Sequence, residues 1–407
     1  MKKIVAIMYV TLISISIIVG YNSLKKEQEL QREIDAKNAR VQDITKHYST
    51  IVKTNKDTII YEEDKEIGKI SKDTILDLEE ITIDDKTTHF NVKNTNYFIK
   101  YEDVEKADNV NDKWYKHYVP FNLNVVTNDI TNFYKDNKLI YSINKSFDLP
   151  IIIKDTDRYY VEFNNDLYYV LKSETKAVKN SNNTNEEVRT SVRTLVYHFV
   201  YTDKDSCEGN IYCIKDTLFE QEMKYLHDNE YFTMKLSDLE LFLDGKIRIP
   251  KKSIVLTMDD GGRVLNAIPI LEKYNVQMTL FLITSYFPAE MFESKNLDIH
   301  SHTHNMHEYV KYQNGGEGGA INTWSYNKVM TDLLKSRELL NGSKYFAYPF
   351  YSYSTRSISM LKEAGFKMAF VGSHGTYGVS TPYTNRYLIP REPIYGNTSF
   401  EKFKSYL

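Results

Sequence analysis

Two clusters of residues in this chain have the types and spacing for chemistry. The first is Asp259 and Asp260, in the stretch TMDDGG directly after the apolar run SIVL. Buried carboxylates are costly unless they are paired or hold a metal, so two of them ending a buried-strand pattern need a task. The second is DIHSHTHNMHE, where His300, His302, His304 and His307 fall within eight residues. Imidazoles with a carboxylate are common ligands of a divalent transition metal, and a catalytic site keeps one coordination position open for water. One Asp and two His would make such a site. Spacing leaves the pair of histidines open: His300 and His304 are four apart, His302 and His307 five apart.

The elements that must position these groups lie in residues 191–407. Apolar runs (TLVYHFV, SIVLTM, MTLFLIT, YFAYPF, MAFVG) alternate there with helical stretches such as TLFEQEMKYLHDN, VLNAIPILEKY and YNKVMTDLLKSRELL. Fully apolar strands between helices predict parallel β-structure in an α/β domain. Repetition of the unit predicts a barrel-like closure with the chemistry at the C-terminal ends of the strands. TMDDGG occupies such an end.

These motifs resemble those of the polysaccharide deacetylases with a NodB-type domain, carbohydrate esterase family four. TMDDGG looks like their T-F-D-D-G motif, with Met258 where Phe is usual. IHSHTHNMH resembles their second motif, and FAYPFYS (346–352) their Pro-aromatic third motif. The resemblance covers about residues 192–400. It implies a distorted (β/α) barrel of NodB type and a divalent metal, zinc foremost. The implied reaction is hydrolysis of N-acetyl groups on a polysaccharide. Carried over residue by residue, it makes Asp260, His302 and His307 the metal ligands, with His304 in reserve, and Asp259 the catalytic base. Pro349, Phe350 and Tyr351 then form the substrate and oxyanion region, with backbone N–H groups near Phe350 and Tyr351. Gly261 and Gly262 would let the backbone approach closely at the turn.

The departures from the family pattern are informative. Its arginine before the third motif is missing around Ala347, and its late L-x-H histidine is replaced in LIPREP, which brings Arg391. The spacing of His302 and His307 resembles the branch that deacetylates poly-β-1,6-N-acetylglucosamine in biofilms. In that branch the acid histidine sits in a Y-H motif of the first strand. TLVYHFV makes His198 the general acid by this analogy, with His374 in reserve. Arg391 is expected to orient Asp259 through a charged hydrogen bond. The alternatives are peptidoglycan as substrate, O-acetyl groups as the target, and a catalytically degenerate module that only binds glycan.

The rest of the chain frames this domain. Lys2 and Lys3 precede residues 4–20, which carry no charge. Such a stretch reads as a membrane anchor over 1–23, or as a cleaved signal peptide. Residues 24–49 are polar with scattered apolar positions and read as a helical stalk or a disordered one. Residues 50–108 and 120–178 share a faint repeat, TIIYEEDKEIGKI against TNFYKDNKLIYSI, and predict two small all-β barrels. They resemble bacterial Src-homology-3-like modules. Residues 179–190 read as a linker. Cys207 and Cys213 are the only cysteines and predict a small disulfide loop in an oxidising compartment. The expected placement is single-pass at the cell membrane with the catalytic domain outside, or secreted. The partner is a cell-wall or biofilm glycan. With 52 Lys+Arg against 55 Asp+Glu, a formal net charge of −3, nucleic acid is not the expected partner.

Overall fold

The computed structural model describes residues 23–39, 51–83, 88–92, 95–108, 112–181, 188–205, 207, 209–313, 315–373 and 375–407. The chain divides into two compact units. One comprises Met1–Trp114, Asn124–Pro150 and Thr156–Lys179; the other comprises Tyr115–Leu123, Ile151–Asp155 and Asn180–Leu407.

The second unit is built on seven parallel strands: β1 (Val192–Tyr197), β2 (Ser253–Asp260), β3 (Met278–Leu282), β4 (Leu297–Ser301), β5 (Tyr345–Ala347), β6 (Met368–Gly372) and β7 (Ile389–Pro393). Each pairs with the next, and β7 pairs back onto β1 with Leu195 opposite Glu392, so the sheet closes into a barrel. The expected barrel-like closure is present. Helices α1 (Asp216–Asp228) and α2 (Leu236–Leu243) connect β1 to β2. Then α3 (Ile268–Tyr274) follows β2, α4 (Tyr326–Leu339) lies between β4 and β5, and α5 (Thr355–Glu363) follows β5. On α1 the buried Phe219, Glu222, Met223 and Leu226 recur at the spacing of one helical face.

Strand β2 shows how the barrel sorts its residues. Every residue from Ser253 to Asp259 is buried, as expected for a strand covered on both faces. Side chains alternate along it. Leu256 and Met258 join the apolar layer with Leu195, Tyr197, Phe219 and Met223. Thr257 and Asp259 take the opposite side and meet Arg391 of β7, which is 0% exposed. Arg391 also lies against Val371 of β6 and the Phe281 ring of β3. These contacts span the barrel, so the guanidinium sits in its interior.

The first unit contains the sequence repeat as a repeat of elements. A hairpin of Thr58–Glu62 and Lys65–Ile70 is followed later by Tyr97–Lys100, a 3-10 turn Tyr101–Asp103 and Val104–Lys106. The hairpin Thr131–Lys135 and Lys138–Ile143 is likewise followed by Asp166–Leu171, a 3-10 turn Lys172–Glu174 and Thr175–Asn180. The sheet order runs continuously through both copies, joined where Tyr141 pairs with Ile70. The boundary between two separate barrels is therefore no break in the hydrogen bonding.

Three boundaries differ from the sequence reading. Tyr115–Leu123 and Ile151–Asp155 belong to the barrel unit although they lie before or inside the second repeat. Val188–Arg189, assigned to the linker for want of large apolar residues, pairs antiparallel with Ile249–Pro250 through its backbone. Residues 182–187 of that linker, and residues 4–20 of the expected anchor, lie outside the described residues. Within the expected stalk, residues 24–39 are helical and 40–49 lie outside the described residues. Among the described residues no helix is long and apolar enough to cross a membrane.

Candidate metal centre and catalytic site

At the end of β2 the chain makes a tight turn. Asp260 has φ 76° and Gly261 φ 109°, the left-handed region that glycine adopts without a steric cost. A Cβ on Gly261 would lie 2.6 Å from Leu282 Cδ1 and 2.9 Å from Phe287, so a larger residue would be strained by its φ and would have to displace these side chains. The strained φ at Asp260 is of the kind held in place by its surroundings at functional sites.

The histidine cluster follows β4. His302 Nδ1 donates to the Ala347 carbonyl at 2.8 Å, which leaves Nε2 unprotonated in the neutral ring. That Nε2 lies 3.5 Å from Asp260 Oδ1, and His307 Nε2 lies 3.3 Å from the same oxygen. One ligand atom from each of Asp260, His302 and His307 falls within 4.8 Å of the others. Asp332 of α4 shapes the loop between the two histidines by accepting the His304 N–H at 2.8 Å and the Asn305 N–H at 2.6 Å. Met306 is buried in the apolar core below. These contacts bring His302 and His307 to Asp260. His304 Nδ1 is 3.0 Å from Thr284 Oγ1. His300 is engaged by Ser343 and Asp298. Neither joins the cluster, and His374 lies outside the described residues.

The electrostatics of the cluster suit a cation. Burial, joined by the neighbouring Asp259 charge and opposed by His198, pushes the Asp260 carboxyl up to about 6. Burial lowers His302 to about 3 and also lowers His307, so both imidazoles stand neutral. A carboxylate that its surroundings penalise, beside two neutral ring nitrogens, is a donor set that fits a divalent metal with a position left open.

Asp259 is held differently. Arg391 Nη1 and Nη2 donate to its two carboxylate oxygens at 2.7 and 2.8 Å, and Arg391 also reaches Thr257 Oγ1 at 3.2 Å. Burial alone would raise the Asp259 carboxyl, but Arg391 and His302 outweigh it and hold it at about 2. Its Oδ2 lies 4.0 Å from His302 Nε2, so it faces the ligand cluster. The arginine that pairs with Asp259 thus comes from β7. Met258, the other departure, lies in the helix-facing apolar layer at 0% exposure and does not touch the site.

His198 directly follows β1. Its ring packs against Tyr212 with centroids 4.7 Å apart, and its buried Nδ1 has no hydrogen-bond partner. Burial lowers its pKa against the pull of Asp259 and Asp260. Pro349, Phe350 and Tyr351 form a 3-10 turn after β5 in which Phe350 and Tyr351 have φ 56° and 57°. The Phe350 ring lies 4.6 Å from His307. Tyr351 N–H donates to the Tyr348 carbonyl at 3.0 Å. That removes one of the two backbone donors expected for an oxyanion, because the turn itself uses it. Cys207 and Cys213 are joined in a disulfide.

Sequence reasoning passed over Tyr212, Tyr395 and Asp332. Tyr212 gave no signal beyond lying next to Cys213, and Asp332 is one acidic residue on an ordinary helix. Only the fold brings them to the site.

Residues 246–369 match the family model described as polysaccharide deacetylase. A poly-β-1,6-N-acetyl-D-glucosamine N-deacetylase of Staphylococcus aureus is 28% identical over 218 residues, covering 48% of this chain and 72% of that protein. The enzyme of the same description from Staphylococcus epidermidis is 27% identical over 227 residues, covering 50% and 75%. A solved de-N-acetylase from Aggregatibacter actinomycetemcomitans is 22% identical with a TM-score of 0.46, covering 53% of this chain and 100% of that one.

Proposed function

From the premise that residues 246–369 carry a polysaccharide deacetylase domain, we propose that this protein hydrolyses N-acetyl groups from N-acetylglucosamine residues of a cell-surface glycan, with a divalent metal at Asp260, His302 and His307. The observation that carries this reading is the pairing of two unlike carboxylates in one site. Asp260 sits in the ligand cluster, while Asp259 is kept ionised by Arg391. A module that only binds sugar has no use for that set. The relatives act on poly-β-1,6-N-acetyl-D-glucosamine by their descriptions, which favours that polymer over peptidoglycan.

A divalent cation, when bound there, supplies Lewis acidity that acidifies water and polarises an amide carbonyl. Asp259 Oδ2 accepts the proton of the attacking water as general base. Held at about 2, Asp259 does not retain that proton, so the proton passes on within the cycle. His198, neutral at rest because of burial, is the group placed to carry a proton to the departing sugar amine. The Phe350 N–H is the remaining backbone donor of its pair for the developing oxyanion. The Phe350 and Tyr309 rings, 5.1 Å apart beside His307, offer an apolar wall. The disulfide and the apolar residues 4–20 support an exported protein, anchored or secreted.

The test measures acetate and free amine released from chito-oligosaccharides, β-1,6-linked N-acetylglucosamine oligomers and peptidoglycan, before and after chelation. Metal-dependent release from the β-1,6 oligomers is expected. Bound metal without turnover on any of the three would replace this reading with a glycan-binding module.

A further inference from the structure

No hydrogen bond explains the orientation of the His198 ring. His302 is fixed by the Ala347 carbonyl and Asp259 by Arg391. The buried Nδ1 of His198 has no partner, although a proton-transferring histidine is ordinarily oriented through that nitrogen. Packing must set the ring instead. The Tyr212 ring lies 4.7 Å away at an interplanar angle of 50°, and Tyr395 lies 5.7 Å behind Tyr212.

Tyr212 is 38% exposed, so core burial does not hold it in place. A clamp does. Its loop is closed by the Cys207–Cys213 disulfide, a separation of 6 residues. Inside the loop, Asn210 Oδ1 accepts the Tyr212 N–H at 3.0 Å. Outside it, Phe199 N–H donates to the Tyr212 carbonyl at 3.3 Å and Gly396 N–H to the Ile211 carbonyl at 2.8 Å. Phe199 directly follows His198, and Gly396 directly follows Tyr395. Gly396 is required here, since a Cβ would lie 2.1 Å from the Cys213 carbonyl oxygen. A crosslink over so short a loop removes less chain entropy than a long-range one, so its main effect is local geometry.

We infer that Tyr212, fixed by the Cys207–Cys213 disulfide, is the positioning residue that aims His198 at the departing amine. The inference rests on the proposed reaction and deepens it. It ties full activity of the site to an oxidised loop.

The experiment compares two substrates on the metal-loaded full chain. Release of a sugar amine from a β-1,6-linked N-acetylglucosamine oligomer needs a donated proton. Release of 4-nitrophenolate from 4-nitrophenyl acetate does not. Tyr212→Ala and the double variant Cys207→Ser/Cys213→Ser are expected to lose about tenfold or more in kcat on the oligomer. Both should keep ester hydrolysis and metal content, and Tyr212→Phe should restore the oligomer rate. Equal losses on both substrates would mean a merely structural loop and overturn the inference, as would an unchanged Tyr212→Ala or a Tyr212→Phe that fails to rescue. If the double variant does not fold, Tyr212→Ala decides. His198→Ala is the reference: should it spare the oligomer, or lose both substrates alike, the acid role itself falls and the positioning role with it.

Discussion

Asp259 and Asp260 are covalent neighbours held in opposite electrostatic states, at about 2 and about 6. The largest lowering influence on the first is one guanidinium, which reaches that carboxylate with both nitrogens. Asp259→Asn should lower acetate release by about a hundredfold to ten-thousandfold while metal content stays stoichiometric; full activity would remove Asp259 as base. Arg391→Ala leaves a buried carboxylate unpaired and should cost about 3–5 kcal/mol in urea unfolding. With that charge gone, burial raises the Asp259 carboxyl, so the acidic limb of the kcat/KM profile should move to higher pH. The Asp260 carboxyl is raised already in the unaltered protein. Its proton competes with the metal below about 6, while His302, at about 3, does not compete. Metal affinity should therefore fall by about tenfold or more per unit below that pH; an affinity independent of pH from 4 to 7 would contradict the ligand assignment. The aspartate pair and the histidine cluster were legible as chemistry in the sequence. The choice between pairs of histidines was not, because four- and five-residue spacings both reach a shared ion.

At the scale of elements, the site depends on a helix that touches no reactant. Asp332 of α4 accepts two loop N–H groups between His302 and His307. Asp332→Ala should cost about 2–3 kcal/mol, since two donors lose their acceptor. It should weaken metal binding about tenfold to a hundredfold by releasing the loop. Calorimetric metal titration with a parallel unfolding curve checks both, and unaltered affinity would reduce Asp332 to a stability residue. Five of the seven barrel strands were readable as apolar runs. The two that were not are β4, LDIHS, and β7, IPREP. Each carries or leads into site chemistry, and polar residues there break the apolar pattern by which buried strands are found. For the same reason, uniform burial along β2 gave no clue that Met258 faces the helices while Asp259 faces Arg391.

At the scale of the whole molecule, the chain crosses between its units after Trp114, Leu123, Pro150, Asp155 and Lys179. Composition gave no hint of this, because the inserted segments are short and the contacts they make are far away in sequence. Within the barrel unit, Tyr118 donates to Asp238 at 2.7 Å, Arg248 donates to the Pro120 carbonyl at 2.8 Å, and Lys154 N–H donates to the Lys246 carbonyl at 2.9 Å. A chain beginning at residue 191 lacks these partners. Its thermal midpoint should fall about 5 °C or more below that of the full chain, and an equal midpoint would show the inserted segments to be dispensable. The interleaving also bears on inheritance. A single recombination event can move a domain whose residues are consecutive, but here no one junction in the gene separates the barrel unit from its companion. Any single cut leaves part of one unit attached to the other.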